Sequence, residues 1–458
     1  MKKIVSLLIA IMMLAGMMAV PTMATDEVSV YLFGEKLEFD VPPQIVNGRT
    51  LVPMRKIFES LGAVVGWDAG TKTVTSVRED KTIKLTINQN TMYVNGEAVE
   101  LDVAPCIVDS RTLVPARAVS EAFDLKVDWV PTTKSVLITS PTNVNSDLDS
   151  KIVAKIGDYE ITQADYNCNY YVIYMPYSQY SQYFGESWMN MDVGDGTTIG
   201  EMIKTDTKYQ IESMISAVSV AKNLYGITGE DVKDIVKMQM TEIRGSYDSQ
   251  TEYESFFTDT RMSEKAIEKY FEMYAIFGLL AEKFAEDSNY ITEAEVEEVF
   301  KEEYADKVKV QHILITTESL DGITPPKTDA EAMAIVNEIL TKLGNGEDFG
   351  KLIDLYNEDP GMTSSDFYTF GDGEMVKEFE TASKNLAVGA YTNPAVKSAY
   401  GYHIIKRYPL DFESEEYDMC KTYLAQEKLL VLLEEEMKKI SVTWDDAQIN
   451  SYIDAWHK

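Results

Sequence analysis

The chain has 458 residues, 45% of them apolar, with 27 Tyr and 16 Phe, more than one ordinary core holds, so two to four domains are expected. Its formal net charge of −33 excludes nucleic acid and anionic lipid as natural partners, because such a surface repels both. Cys106, Cys168 and Cys420 are far apart and odd in number, so neither a disulfide framework nor a metal-ligand spacing can be read from them; a Cys168–Cys420 pair stays open beside three free thiols.

In chain order, Lys2-Lys3, the apolar run Ile4 to Val20, and Pro21-Thr22-Met23-Ala24 have the form of a secretory signal cleaved after Ala24 (residues 1–24). The run is short for a spanning helix, and no Cys lies near the cleavage region to carry a lipid, so a lipoprotein is not expected. Cleavage would remove Lys2 and Lys3 and take the charge from −33 to −35. With no later span, the mature protein is expected outside the cytoplasmic membrane, secreted or associated with the cell envelope.

Residues 34–77 recur as 96–139 at a constant offset of 62. Arg49-Thr50-Leu51-Val52-Pro53 returns as Arg111-Thr112-Leu113-Val114-Pro115, Arg55 as Arg117, and Trp67 as Trp129. Each copy reads as a few short strands and one helix, Met54 to Leu61 and Ala116 to Phe123. The pattern resembles the module named after the N-terminal domain of copper amine oxidases, placed at 25–140. No copper site of imidazoles can form there, because the first histidine is His312, and no Asn-Tyr-Asp/Glu sequence exists to make a quinone. The module is read as structural or docking, with cell-wall polymer a candidate partner.

A polar linker follows (141–150), then Ile152 to Thr162, a hairpin entering a helix. Helices are expected over Glu201 to Leu224, Asp231 to Arg244, Glu264 to Phe284 and Thr292 to Tyr304, with Thr228/Asp231 and Thr292/Glu295 as capping boxes. The opening element and the later pattern resemble extracytoplasmic foldases of the PrsA and SurA kind. That resemblance implies a mainly helical chaperone-like domain at 151–305, completed by a C-terminal helix within 410–458. Tyr170 to Phe184 is a candidate cradle surface.

Between these lie Val310-Gln311-His312-Ile313-Leu314-Ile315 and Gly401-Tyr402-His403-Ile404-Ile405. Two of the chain's three histidines occupy apolar, strand-like runs; such strands normally exclude imidazole, which points to one shared buried site. Thr328 to Glu331 caps a helix, Asp348-Phe349 opens another, and Tyr356-Asn357-Glu358-Asp359, Met375, Phe379 and Leu386-x-x-Gly389 follow. The series resembles a parvulin-type peptidyl-prolyl isomerase domain over 306–409, inserted in the helical domain, with a central antiparallel sheet. The expected class is therefore multidomain α+β.

That resemblance implies roles. His312 and His403 match the family's hydrogen-bonded histidines, Asp359 the Cys or Asp facing the substrate carbonyl, and Ser398 a hydroxyl of the same network. Met375 and Phe379, four apart on a helix face, would form the proline pocket with Phe367. No cofactor or metal is called for. The implied activity is isomerisation of X-Pro bonds in unfolded or partly folded exported chains; the alternatives are an inactive holdase or an envelope-binding protein. The family's Gly-Gly-Asp-Leu-Gly stretch stands here as Ser364-Ser365-Asp366-Phe367-Tyr368, and the loop after the first strand (Thr317 to Asp321) lacks the Lys/Arg cluster of phospho-specific parvulins.

Overall fold

A computed structural model describes residues 27–140, 142–185, 187–194, 196–319 and 325–456. The expected signal peptide (1–24), Pro141 of the linker, and Leu320 and Asp321 lie outside the described residues. The chain divides into two compact units, one running up to residue 280 and resuming at 431, the other spanning 281–430. Both mix helices and sheets, giving the multidomain α+β class. Among the described residues, no helix is long and apolar enough to cross a membrane.

The first unit opens with β1 (Ser29–Leu32), β2 (Glu35–Lys36), β3 (Gln44–Val46), β4 (Arg49–Pro53), α1 (Met54–Ser60), β5 (Val64–Asp68), β6 (Thr73–Arg78), β7 (Lys81–Thr86), β8 (Thr91–Val94), β9 (Glu97–Glu100), β10 (Cys106–Val108), β11 (Arg111–Pro115), α2 (Ala116–Glu121), β12 (Lys126–Val130) and β13 (Ser135–Thr139). The repeat is legible element by element. β4 and β11 pair antiparallel with Val52 opposite Val114, positions equivalent in the two copies, so a pseudo-twofold axis passes between them. Across it, Arg49 Nε donates to Asp102 Oδ2 and Arg111 Nε to Asp40 Oδ2, both at 2.6 Å. Alternation along these strands turns Val52 and Val114 inward to a core that also holds Phe58 and Phe123. The symmetry breaks at β7. It stands between β6 and β8 in the sheet β5-β6-β7-β8-β9, whereas β13 pairs directly, in parallel, with β1 in the sheet β12-β13-β1-β2.

β14 (Ile152–Ile156) and β15 (Tyr159–Thr162) lead into α3 (Gln163–Ser178), α4 (Ile199–Tyr225), α5 (Gly229–Gly245), α6 (Gln250–Thr260) and α7 (Glu264–Glu286). Side-chain caps start the helices: Thr198 Oγ1 accepts from Glu201 N, and Asp231 accepts from Thr228 N at 2.8 Å. The expected linker is pinned: Asn145, in the left-handed region, donates to the carbonyls of Phe257 and Met262 at 2.6 and 2.8 Å. Gly34, at φ +88°, runs so close to Gly245 of α5 that any Cβ would overlap that backbone. The stretch Tyr170 to Phe184 divides in two. Tyr170 is fully buried and stacks between Tyr166 and Tyr174, while Tyr183 and Phe184 are exposed.

The second unit contains α8 (Glu293–Tyr304), β16 (Val308–Thr316), α9 (Asp329–Gly344), α10 (Phe349–Tyr356), β17 (Tyr368–Phe370), α11 (Lys377–Asn385), β18 (Val396–Lys397) and β19 (Gly401–Tyr408); α12 (Glu415–Met437) follows. Its sheet is antiparallel, in the order β17-β16-β19-β18. All nine residues of β16 are buried, because both faces of the sheet are covered. Ile313 and Ile315 face α9 and α10, and Val308 and Val310 face Phe379 of α11. Gly401, at φ +146°, lies against the carbonyl of Ile315, where no side chain fits. That close approach brings β19 alongside β16 along its length and sets the two histidines near one another.

Candidate active site

In the β16–β19 register His312 faces Ile405 and His403 faces Leu314, so the imidazoles are diagonal neighbours on the face covered by α11. Their Nδ1 atoms are 3.2 Å apart, and both rings pack edge-on to Phe379, at 5.1 and 5.2 Å between centroids. His312 Nε2 is 2.8 Å from Asp359 Oδ2, and His403 Nε2 is 2.7 Å from Ser398 Oγ. His312 and His403 are 2% and 4% exposed, so each ring nitrogen needs its partner inside the protein.

With each imidazole carrying a single proton, one assignment satisfies every bond. Asp359 is held down to about 2, first by the His312 hydrogen bond and also by the N–H of Gly361, so it is a carboxylate. His312 therefore donates from Nε2 and accepts at Nδ1. His403 donates from Nδ1 and accepts at Nε2 from the Ser398 hydroxyl. Burial, with His312 next, holds His403 down at about 4, so it is neutral at pH 7. A single hydrogen-bonded chain thus runs Ser398→His403→His312→Asp359 and ends on one negative charge.

Three residues that sequence reasoning did not assign support this chain. Tyr368 donates its O–H to Asp359 Oδ2 at 3.1 Å and lies 5.5 Å from the His312 ring; burial, then Asp359, pushes its phenol up to about 12, so it stays a donor. Asn357 accepts from Leu314 N at 2.9 Å and donates to the carbonyls of Asp359 and Met362, fixing the loop that presents Asp359. Gln311 donates to the carbonyls of Ser364 and Asp366 and accepts from Tyr408, anchoring the stretch where the glycines are missing. Gln311 and Asn357 lie inside two of the motifs that carry the resemblance, and Tyr368 at the departure from glycine, but nothing local assigns a role to any of the three.

The pocket residues are not all together. Met375 is half-buried against the cluster containing Phe379, but it precedes α11, whose first residue is Lys377, so the two do not share a helix face. Phe379 itself is 3% exposed and forms a floor. Phe367 lies apart from both: it packs on Tyr408 at 4.9 Å and under the ammonium of Lys309 at 4.7 Å. Lys309 alternates with Val308 and Val310 along β16, and so belongs to the opposite face of the sheet from α11. The three cysteines are free thiols. Among the described residues no group of three or more His, Cys, Asp or Glu is arranged to hold a metal ion.

Residues 296–408 match the family described as the PPIC-type PPIASE domain, and residues 31–138 match the copper amine oxidase N-terminal domain. The chain thus joins a peptidyl-prolyl isomerase-type domain to a module of the amine oxidase N-terminal type. It is similar to the foldase protein PrsA of Geobacillus sp. (strain WCH70), 42% identical over 130 residues, which are 28% of this chain and 41% of that protein. Similarity to the foldase protein PrsA of Oceanobacillus iheyensis is 28% over 242 residues, covering 51% of this chain and 73% of that one. The crystal structure of PrsA from Bacillus subtilis is 22% identical, covers 54% of this chain and 89% of its own, and superposes with a TM-score of 0.26. The chain therefore spans less than half, 41%, of the length of the first of these relatives.

Proposed function

We propose that residues 306–409 catalyse cis/trans isomerisation of X-Pro bonds in unfolded or partly folded exported polypeptides. Residues 151–305 and 410–458 would hold those chains, and the protein would work outside the cytoplasmic membrane after cleavage behind Ala24. The observation that carries this reading is the unbroken chain Ser398–His403–His312–Asp359. Rotation about an X-Pro bond needs no covalent intermediate; it needs loss of amide resonance, which sets a barrier of about 18–20 kcal/mol. The planar amide places partial negative charge on its carbonyl oxygen. A fixed carboxylate facing that oxygen raises the energy of the planar form relative to the twisted one, where the charge is lost. The histidine chain keeps Asp359 ionised and aimed, and Met375 above Phe379 offers an apolar seat for the proline ring.

The test is a protease-coupled isomerisation assay on the full chain with X-Pro peptides. Asp359→Ala, checked for retained fold, is expected to lower kcat/KM on the order of 100-fold. Equal turnover in the folded variant and the wild type would sink the reading. A non-catalytic holdase is the second reading, favoured by Phe367 and Tyr368 filling a stretch that is glycine-rich in the family. Peptide binding without wild-type turnover would establish it. For the repeat module we propose a docking role toward envelope polymer.

A further inference from the structure

Between β17 and α11 the chain makes a loop, 371–376, which carries Met375. Packing holds little of it: Asp372, Gly373, Glu374 and Val376 are exposed, Met375 is half-buried, and only Gly371 is buried. Polar ties fix it instead. The Gly373 N–H donates to Glu380 Oε2 at 2.8 Å, and the Gly371 N–H to Glu374 Oε2 at 3.1 Å. Lys384, one turn beyond Glu380 on α11, pairs with the Glu380 carboxylate at 3.4 Å and also with that of Asp372.

The helix is anchored in turn. Arg407 of β19 donates to the carbonyls of Lys384 and Leu386, at 3.0 and 2.7 Å, which binds the C-terminal end of α11 to the sheet that carries His403. Position therefore passes from sheet to helix through Arg407, and from helix to loop through Glu380. Glu380 directly follows Phe379, the floor of the pocket. Its side chain is 18% exposed against 85% for Asp372. The bond from Gly373 to this sheltered carboxylate is charge-assisted and strong for its kind, whereas the Asp372 pair is screened by water.

We propose that Glu380 is a positioning residue of the isomerisation site: it ties the 371–376 loop to α11 and so sets Met375 against Phe379 as the seat for proline. The inference rests on the isomerase reading above and assigns a residue to one part of it, the grip on the substrate. A pyrrolidine ring keeps its shape while the bond before it rotates, so the seat holds the planar and twisted states alike. Such uniform binding lowers KM and leaves kcat unchanged. Asp359 acts differently, because the carbonyl it faces changes charge during rotation. The partners of Glu380, Gly373 and Lys384, lie outside the chain Ser398–His403–His312–Asp359.

The experiment measures kcat and KM separately in a protease-coupled assay of the full chain on X-Pro peptides, with peptide Kd from calorimetry beside it. Glu380→Ala is expected to raise KM and Kd about tenfold and to change kcat less than about twofold. Glu380→Gln has the same shape without the charge and keeps an acceptor for Gly373, so it should raise KM only about threefold; it decides the matter if the alanine variant does not fold. Glu378→Ala removes another carboxylate from the first turn of α11 and should leave KM unchanged. Wild-type KM in every folded Glu380 variant, a fall in kcat at constant KM, or an equal rise of KM in Glu378→Ala overturns the proposal. A wild type that binds peptide without turnover sinks the isomerase reading alone, and the Kd series then decides on Glu380. A wild type that neither turns over nor binds X-Pro peptides overturns both.

Discussion

The Arg49–Asp102 pair of the repeat module and the His312–Asp359 pair of the isomerase-type domain are almost equally short, 2.6 and 2.8 Å. Their surroundings differ: side-chain exposures are 52% and 68% in the first, 2% and 21% in the second. Water screens the first pair, so its net worth is about 0–1 kcal/mol, and its use is to mark the register of one repeat against the other. The second pair is sheltered, so it dictates which atoms carry protons and propagates that choice through His403 to Ser398. Similar bond lengths therefore say little; shelter decides whether a polar pair fixes geometry or chemistry.

Acid is the strongest way to break this contrast. His403 has a pKa of about 4 in the fold against 6.5 ordinarily, so between those values the unfolded chain binds the extra proton. Stability from this group is complete above pH 6.5 and drains away as pH falls toward 4, a loss of about 3 kcal/mol. Asp359, held at about 2, adds a further loss below pH 3.8. Denaturant titrations of the second unit across this range should show the slope, and His403→Gln should remove its upper part; an unchanged slope would refute the assignment. In the module the counterpart is packing rather than charge. Gly34→Val should cost about 2 kcal/mol of that unit's stability, because its Cβ meets the backbone of Gly245; calorimetry would read it as a lowered Tm.

Smaller effects sharpen the comparison. Tyr368→Phe removes one donor from Asp359 and should lower kcat/KM by roughly fivefold, about 1 kcal/mol, with the acid limb of the pH profile moved upward. An unmoved limb would make Tyr368 a packing residue only. Arg49→Ala should change stability by less than about 1 kcal/mol, and added salt should erase even that.

Much of this was readable in the sequence because the signals were local. Imidazoles in apolar strands, capping residues such as Thr292 and Thr328, and the repeated Arg-Thr-Leu-Val-Pro strand each announce their position through short-range pattern. What escaped depends on distant backbone. The separation of Phe367 from Met375 follows from which face of β16 its neighbour Lys309 occupies, and Met375 falls outside α11 because that helix begins two residues later. Tyr368 sits where a glycine was expected, and only the return of the Asp359 loop gives its hydroxyl a partner. The linker looked free because its polar residues carry no hint that Asn145 would find the Phe257 and Met262 carbonyls more than 100 residues away.

The sheet that opens the helical region has a consequence for biosynthesis. β14 pairs on one side with β15 and on the other with residues Val442–Trp444, and Trp444 packs on Tyr166 and donates to Glu212. The ribosome makes that third strand only after every residue of 281–430 has been translated. The isomerase-type unit has all its own strands in hand by Tyr408, while the unit that begins first in the chain must wait for nearly the last residues to close its sheet. Vectorial synthesis thus supplies the strands of the unit at 281–430 before the sheet built on β14 has its third strand, the reverse of the order in which the chain starts them.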